Sequence, residues 1–466
     1  MITLKYNLGL IVIIVAFTMI NVTETSARED VILAEIRALK EKVLEIEQMK
    51  VQIAELQKQV IENTHKCSML EAQGTVKDIK ESLIRYKPGE GVEITPCGFK
   101  IQADATFVVQ GTPNANNAAD GANKSATDAS WSSDIYIEKA FDDWGLALIH
   151  LEPGQGNGAE SQLSLYSNVN RDSNDTGANV PVTELWYEQY LFNKQWTVTA
   201  GKLDPENYLD QNVYAHDECT QFLARIFRSS PAIEWPNNNT LGATTIIAPD
   251  ILPYLALNAS YFNANDTYED IFTKTFLSAQ LTIKPAMALG LDTEKWDGNF
   301  RAYWWYNGLD HPKLVDQGEP PPDDSKNPNT GFGLSVDQMV TDAFGVFARI
   351  GWQKPDLAIV STNPDAAQIE GAWSTGMQVN GKLWGREDDV LGLAIGQALP
   401  SKHYKDAGNG GTAEGHFEVY YRLKVNSNLY VSPDIQCIWN PRGISEQYQG
   451  NCNTIFVYGL RGQLDF

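Results

Sequence analysis

The C-terminal end of the chain alternates between apolar and polar residues. Counted back from Phe466 in steps of two, the residues are apolar, aromatic or glycine, and most of the positions between them are polar. Successive side chains of a strand point to opposite faces, so this pattern predicts a strand with one apolar face. A soluble strand can alternate in the same way against a core, but soluble domains more often fray at their ends. A strand that runs to the final residue and finishes on an aromatic is typical of a transmembrane barrel, apolar toward lipid and polar toward the lumen.

Many other segments of about ten residues alternate in the same way, and His416–Val425 is the clearest of them. Its apolar face carries Phe417, Val419, Tyr421, Leu423 and Val425, and its polar face carries His416, Glu418, Tyr420, Arg422 and Lys424. An Arg or Lys facing lipid costs about 2–4 kcal/mol at the midplane of the bilayer, so the polar face points into the lumen. About sixteen to eighteen such segments follow Phe99, a number whose barrel encloses an aqueous channel. The sequence therefore predicts an all-β fold, a transmembrane antiparallel β-barrel of about 16 strands.

The N-terminus has the pattern of a secretory signal at residues 1–27. Lys5 supplies its positive charge, Leu8 to Ile20 its apolar stretch, and Thr25-Ser26-Ala27 its small-residue cleavage site. Export permits disulfides among the five cysteines. Counted in steps of two, Cys437 and Cys452 fall on the same face of the last two strands. We therefore predict a disulfide between them across the outer end of the final hairpin. Cys67, Cys97 and Cys219 do not all pair with one another, which leaves at least one free or intermolecular.

The sequence pattern predicts a coiled-coil stalk and linker at residues 28–87, followed by a barrel domain at residues 88–466. From Arg28 to about Val60, apolar residues recur at alternating gaps of four and three, and the stretch contains no Gly or Pro. Isoleucine at the d positions of these heptads disfavours a parallel dimer and favours a trimer or a higher oligomer, and we predict a homotrimer. The d positions are Ile32, Leu39, Ile46 and Ile53. A single helix that packs on the barrel or plugs it is the alternative.

The composition agrees with a barrel and excludes other classes. The 12 Trp, 19 Tyr and 17 Phe are many for a chain with a mean hydropathy of −0.31. After the N-terminus, no window holds the roughly 18 apolar residues that a membrane-spanning helix needs. The net charge of −23 argues against partners made of nucleic acid and against binding to anionic membrane surfaces.

One stretch within the barrel region has helical instead of strand spacing. Its apolar residues are Phe222, Leu223, Ile226 and Phe227. Asp217 is a candidate N-cap, and the run Ser229-Ser230-Pro231 ends the helix. A helix between strands needs a surface that buries its apolar face, so we expect it against the inner wall, as a constriction. The residues that we expect along the solute path are Arg225, Arg228, Glu234, Trp235, Asp217, Glu218, Glu184, Trp186, Glu188, Glu418 and Arg422.

Several runs resemble the carbohydrate-selective outer-membrane porins, which are typified by the bacterial glucose porin. The matching runs are Thr106–Thr112, Phe141–Ala147, Val182–Gln189, Gly201–Pro205, Phe227–Pro236, Tyr420–Arg422, Ser432–Gln436 and Asn440–Pro441. The resemblance implies a sixteen-strand barrel in the bacterial outer membrane, in contact with its lipids. It also implies diffusion of neutral sugars through a pore narrowed by charged and aromatic residues. It does not extend to the coiled coil, so the oligomeric state and any contact with the cell wall stay open.

Three classes of function fit these patterns to different degrees. A passive porin for sugars needs aromatic and charged groups that bind weakly enough to release the solute. A general or ion-selective pore is a variant of this class, and a stalk that tethers the envelope is a structural alternative. An enzyme is disfavoured because Glu184 and Glu188 lie about 14 Å apart along a strand, beyond the roughly 5–9.5 Å of a glycosidase pair. No His/Cys cluster has zinc spacing, and we expect no cofactor.

Overall fold

The computed structural model describes residues 84–94, 98–116, 124–177, 179–236, 239–265, 267–313, 326–357, 369–406, 411–443 and 454–466. By its internal contacts the chain divides into two compact units, Met1–Glu81 and Ser82–Phe466, and the described residues belong to the second. The predicted signal at 1–27 and the heptads of the stalk lie outside the described residues. The trimer therefore stays a prediction.

Sixteen antiparallel strands form one closed barrel, which confirms the predicted fold class. In chain order they are β1 Phe99–Ala115, β2 Lys124–Ala140, β3 Gly145–Leu151, β4 Val182–Leu191, β5 Trp196–Leu203, β6 Thr240–Ile247, β7 Leu255–Asn263, β8 Thr275–Ile283, β9 Gly298–His311, β10 Asn327–Thr341, β11 Phe344–Gln353, β12 Ile369–Asn380, β13 Val390–Pro400, β14 Glu414–Lys424, β15 Leu429–Trp439 and β16 Ile455–Asp465. Each strand pairs with the next one along the chain. The last strand closes the barrel on the first, in a register that runs from Tyr458↔Gly111 to Asp465↔Asp104.

The two faces of the strands follow the predicted alternation. On β16, Phe456, Tyr458 and Leu460 are 40–55% exposed, whereas Arg461 and Gln463 are at most 4% exposed. On β14, the predicted lumen residues His416, Glu418 and Tyr420 are buried. A closed barrel leaves its apolar side chains outward, where lipid replaces water, and collects its polar side chains inside.

A short hairpin precedes the barrel. Its strands, Ile84–Lys87 and Gly91–Ile94, pair with each other, and the second one pairs with β1. Gly91 has a φ of 86°, and a Cβ there would clash with the carbonyl oxygen of Ile101, so only glycine fits this turn. Residues 84–87, assigned from the sequence to the end of the linker, are thus part of the hairpin.

The helices in the described residues are short. They are α1 Arg225–Arg228, α2 Pro285–Ala288 and α3 Lys402–Asp406, with 3₁₀ turns at Gly158–Gln162, Pro205–Tyr208, Gly381–Trp384 and Pro441–Gly443. In the part of the chain that the structure describes, none of the helices has the length and apolarity needed to cross a membrane.

The predicted helix from Asp217 to Arg228 is wrong in its extent, because only Arg225–Arg228 is helical. Asp217 Oδ1 accepts hydrogen bonds from the backbone N–H groups of the next turn, but that turn does not continue as a helix. The backbone N–H groups of Leu223 and Ala224 donate to the carboxylate of Glu418 instead, at 2.7 Å and 3.0 Å. A wall carboxylate thus takes donors that a helix would have used internally.

Two long connections fold against the inward faces of the strands. The first inserted segment, residues 152–181, joins β3 to β4, and the second inserted segment, residues 204–239, joins β5 to β6. In the second, the ring of Phe222 lies 5.7 Å from that of Phe347 on β11 and 5.0 Å from that of Tyr420 on β14. Both partners are buried lumen-facing residues, so this segment lies inside the barrel.

Candidate functional site

Lumen-facing carboxylates of β14 hold both inserted segments. Glu414 accepts hydrogen bonds from the backbone N–H groups of Tyr166 at 3.0 Å and Ser167 at 2.8 Å, in the first inserted segment. Glu418 holds the second inserted segment through the two bonds given above. Glu418, expected along the solute path, is therefore an anchor of the backbone. Glu414 was missed in the sequence, although it continues the period-two polar face that contains Glu418.

Two buried arginines of the wall hold the second inserted segment from other strands. Arg461 Nη1 on β16 donates to the carbonyl oxygens of Glu218 at 2.6 Å and Gln221 at 2.8 Å. Arg349 on β11 pairs with the carboxylate of Asp210 at 3.2 Å and donates to its carbonyl oxygen at 3.0 Å. The guanidinium offers five donors in a fixed fork, so one side chain can hold several backbone acceptors. Sequence reasoning missed these roles, because nothing local links the strands to the segment.

A cavity of about 940 Å³ lies between the inserted segments and residues of β2 to β5. Of the predicted path residues, those that line it are Glu184, Asp217, Glu218, Arg225, Arg228 and Trp235. The predicted residues outside its lining are Trp186, Glu188, Glu234, Glu418 and Arg422. The cavity thus collects about half of the predicted set, chiefly from the second inserted segment.

Arg228 is surrounded by carboxylates of its own segment. It forms ion pairs with Glu206 and Glu218, and its Nη2 lies 3.9 Å from Asp204 Oδ2. Arg171 of the first inserted segment also pairs with Glu206, at 3.1 Å, so the two segments share one acidic partner. Burial lowers the pKa of Arg228 to about 10, which leaves it charged at neutral pH. The cavity wall here is a compensated network, with its arginine held in place.

A second polar cluster lies on the barrel wall. His150 Nε2 on β3 lies 2.6 Å from Asp134 Oδ1 on β2, and its Nδ1 lies 3.5 Å from Glu184 Oε1 on β4. The ring of Tyr136 stacks on the imidazole with centroids 4.2 Å apart. Asp134, His150 and Glu152 offer ligand atoms within 4.8 Å of one another, the spacing of a possible metal site. A protonated His150 imidazole between Asp134 and Glu184 balances the negative charge of these carboxylates without a metal ion. We therefore assign the cluster to ion pairing.

Glu234 and Trp235 are neighbours in sequence but have different surroundings. Glu234 is buried, and its two oxygens accept from His311 Nε2 at 2.8 Å and Asn329 Nδ2 at 2.7 Å. It therefore ties the end of the second inserted segment to β9 and β10. Trp235 lines the cavity and stacks on Phe276 with centroids 6.1 Å apart. Among the described residues, its indole N–H has no acceptor.

The remaining predicted residues have local partners. Glu188 accepts a hydrogen bond from Thr199 Oγ1 at 2.8 Å. The guanidinium carbon of Arg422 lies 4.0 Å from the ring centroid of Tyr430, a cation–π contact on adjacent strands. Trp186 packs against a buried apolar cluster. The sequence put all three on the lumen face, but that face alone does not distinguish wall contacts from cavity lining.

The cavity lining is acidic. It holds nine carboxylates, namely Asp134, Glu152, Glu160, Asp172, Glu184, Asp204, Glu206, Asp217 and Glu218. Against these stand five positively charged groups, namely Arg171, Lys202, Arg225, Arg228 and the protonated imidazole of His150. Burial raises the pKa of Asp172 to about 7 and that of Asp204 to about 6, whereas burial lowers the pKa of His216 to about 4. His216 is therefore neutral at neutral pH and does not offset the acidic charge.

Among the described residues, neither Cys437 nor Cys219 has a disulfide partner. Cys437 lies on β15, opposite Phe417 on one side and Phe456 on the other. Cys452 lies outside the described residues, so its disulfide with Cys437 stays a prediction. Cys219 donates to Asp172 Oδ1 at 3.4 Å in the cavity wall.

Comparison with known proteins gives matches in family and fold. The family model described as "Carbohydrate-selective porin, OprB family" matches residues 108–466. The high-pH structure of Pseudomonas putida OprB is similar with a TM-score of 0.64 at 16% identity, over 79% of this chain and 94% of that one. Its low-pH structure has a TM-score of 0.48 at 14% identity, over 79% and 93%. A mutant of the Rh. blastica porin has a TM-score of 0.45 at 10% identity, over 79% of this chain and 100% of the porin chain. No curated protein matches the chain.

The family match spans all of the barrel beyond the first part of β1 and includes both inserted segments. The structural likeness independently supports the same barrel fold. With a closed sixteen-strand barrel, a polar lumen and this match, the chain belongs to the carbohydrate-selective porin, OprB family, and is a bacterial outer-membrane porin for the passive diffusion of carbohydrates.

Proposed function

We propose that the cavity between the inserted segments is the selective part of the solute path. The observation that carries this proposal is that both segments are bonded to the lumen face of β14, and the second segment also to the lumen faces of β11 and β16. Segments held against that wall narrow the lumen, and the cavity on their other side is lined by polar and aromatic groups. Such groups exchange hydrogen bonds with sugar hydroxyls without holding the solute tightly, as passage requires.

Within this path, Arg228 is the group that sets both width and charge. Its guanidinium is held by Glu206 and Glu218, so it does not swing out of the way when a solute passes. The activity is transport and not catalysis. Glu184 faces His150, and Glu188 faces Thr199, so the two carboxylates have separate partners and do not act as a hydrolytic pair.

The test is a substitution, Arg228→Ala, studied in planar lipid bilayers. Removing the side chain widens the cavity and takes one positive charge away from Glu206 and Glu218. We expect higher single-channel conductance, a larger preference for cations and weaker block of the ion current by glucose. Arg422→Ala is the matched control, because Arg422 contacts Tyr430 and does not line the cavity. If conductance and sugar block in Arg228→Ala equal those of the control, Arg228 lies outside the path.

A further inference from the structure

The cavity lining contains more carboxylates than positively charged groups. Nine carboxylates face five positively charged groups. Arg228 and Arg171 are shared among Glu206, Glu218 and Asp204, and His150 is shared between Asp134 and Glu184. Low-dielectric walls concentrate the field of such a lining and raise the local concentration of cations. A passage for uncharged sugars has no need of this excess.

Two polar atoms of the lining point to a ligand with donors and acceptors. Asp172 is 6% exposed, and its Oδ1 accepts from Ser132 Oγ at 2.8 Å, whereas its Oδ2 is buried without a hydrogen-bond partner among the described residues. Trp235 is 8% exposed, and its buried indole N–H likewise has no hydrogen-bond acceptor among the described residues. Buried polar atoms of native proteins are nearly always paired, so an unpaired acceptor and an unpaired donor in one cavity need partners.

We propose that the cavity selects amino sugars over neutral sugars of the same size. The ammonium group of an amino sugar carries a positive charge and several N–H donors that suit the free oxygen of Asp172. Its hydroxyl groups can accept from the indole N–H of Trp235. The cavity belongs to a carbohydrate porin, and this inference rests on the proposed solute path through it.

The substitutions that test the proposal preserve the local fold. Asp172→Asn replaces the ionisable carboxyl group with an uncharged amide but keeps the oxygen that accepts from Ser132. Glu152→Gln is a second variant, because the amide oxygen still accepts from Asn174 Nδ2, which lies 2.8 Å from the present carboxylate. Asp342→Asn is the matched control: Asp342 is an exposed acid of the β10–β11 turn, paired with Lys382 and away from the cavity.

The experiment measures block of the ion current by glucosamine and by glucose, with the full-length porin in planar bilayers at neutral pH. We expect glucosamine to reach half-block at about one tenth of the glucose concentration, equivalent to about 1.4 kcal/mol. Asp172→Asn and Glu152→Gln each raise the half-blocking concentration of glucosamine more than that of glucose, so that the roughly tenfold preference for glucosamine falls toward one. Asp342→Asn resembles the wild type for both sugars.

Equal block of the wild type by the two sugars overturns the proposal and leaves the solute path intact. So does a cation-selective current without preference for glucosamine, which indicates a field that acts on inorganic ions only. If Asp172→Asn and Glu152→Gln both keep the wild-type preference, the acidic lining is not the cause and the proposal fails. Absence of block by either sugar, together with absent sugar uptake into liposomes, overturns the proposed solute path itself.

Discussion

At the residue scale, the lumen contains two kinds of charged side chain that look the same in sequence. Wall groups such as Glu414, Glu418 and Arg461 bind the backbone of the inserted segments. Segment groups such as Arg228 and Asp172 line the cavity. The first kind determines where the segments lie, and the second kind determines what passes them. Substitutions of the two kinds are therefore expected to change conductance for different reasons.

Glu418→Ala tests the anchoring role. The substitution leaves the backbone N–H groups of Leu223 and Ala224 without their acceptor, and a buried unsatisfied donor costs about 1–3 kcal/mol. We expect the barrel to assemble, as judged by its heat-dependent mobility on gels, with a larger and noisier single-channel current. Glu188→Ala is the control, because Glu188 accepts from the side chain of Thr199. A quiet current of wild-type size in Glu418→Ala would contradict the anchoring role.

At the element scale, the barrel strands and the inserted segments are stabilised differently. Strands are bonded to both neighbours along their length, so their position follows from the closed ladder. The second inserted segment depends on side chains, and Phe222 is its main apolar contact. The ring of Phe222 meets those of Phe227, Phe347 and Tyr420 at 5.0–5.7 Å.

Phe222→Ala is expected to release the second inserted segment without opening the barrel. Truncation of a buried Phe lowers stability by about 3–5 kcal/mol. We expect most of this loss to fall on the packing of the second inserted segment against β11 and β14. At 1.4 kcal/mol per factor of ten, amide hydrogens of residues 217–228 should exchange at least about a hundredfold faster. Hydrogen exchange with mass spectrometry measures this, with the strand amides as internal reference. Phe417→Ala, on the outward face of β14, should leave the segment protected, and equal protection in both variants would refute the contact's role.

At the scale of the whole molecule, the barrel closes on its own ends. The pairing of β16 with β1 places the last residues of the chain beside the start of the first barrel strand, next to the hairpin that precedes it. The fold of the barrel is thus complete within Ser82–Phe466. Association of copies is a separate question, for which the heptads of the stalk make a prediction.

Deletion of residues 28–83 tests the predicted trimer. This boundary keeps the hairpin strand Ile84–Lys87, which the boundary at 87 suggested by the sequence would have removed. Because isoleucine at d positions favours trimers, we expect a trimer for the intact chain and a smaller assembly after the deletion. Mass measurement of the protein in detergent, with the detergent subtracted, gives the state of each. A monomer in both samples would refute the trimer, and a trimer in both would assign it to the barrel walls.

Most of the barrel could be predicted from the sequence, whereas about half of the predicted path residues line the cavity. The alternation on β14 and β16 correctly indicated which side chains face outward, because strand geometry makes the two faces a local property of the sequence. The helical spacing of Phe222, Leu223 and Phe227 correctly marked an element that is not a strand. Its extent was wrong, because Glu418 competes for its backbone donors.

What the sequence determined by itself is therefore the barrel, its polar interior and its family. What only the tertiary structure decided is which polar residues meet. Glu418 and Leu223 are 195 residues apart along the chain, and Glu414 and Tyr166 are 248 apart. No local periodicity encodes such pairs, since they depend on which strand faces which segment across the closed barrel. The same closure left Glu234 against the wall and Arg228 in the cavity, although both lie in one short run of sequence.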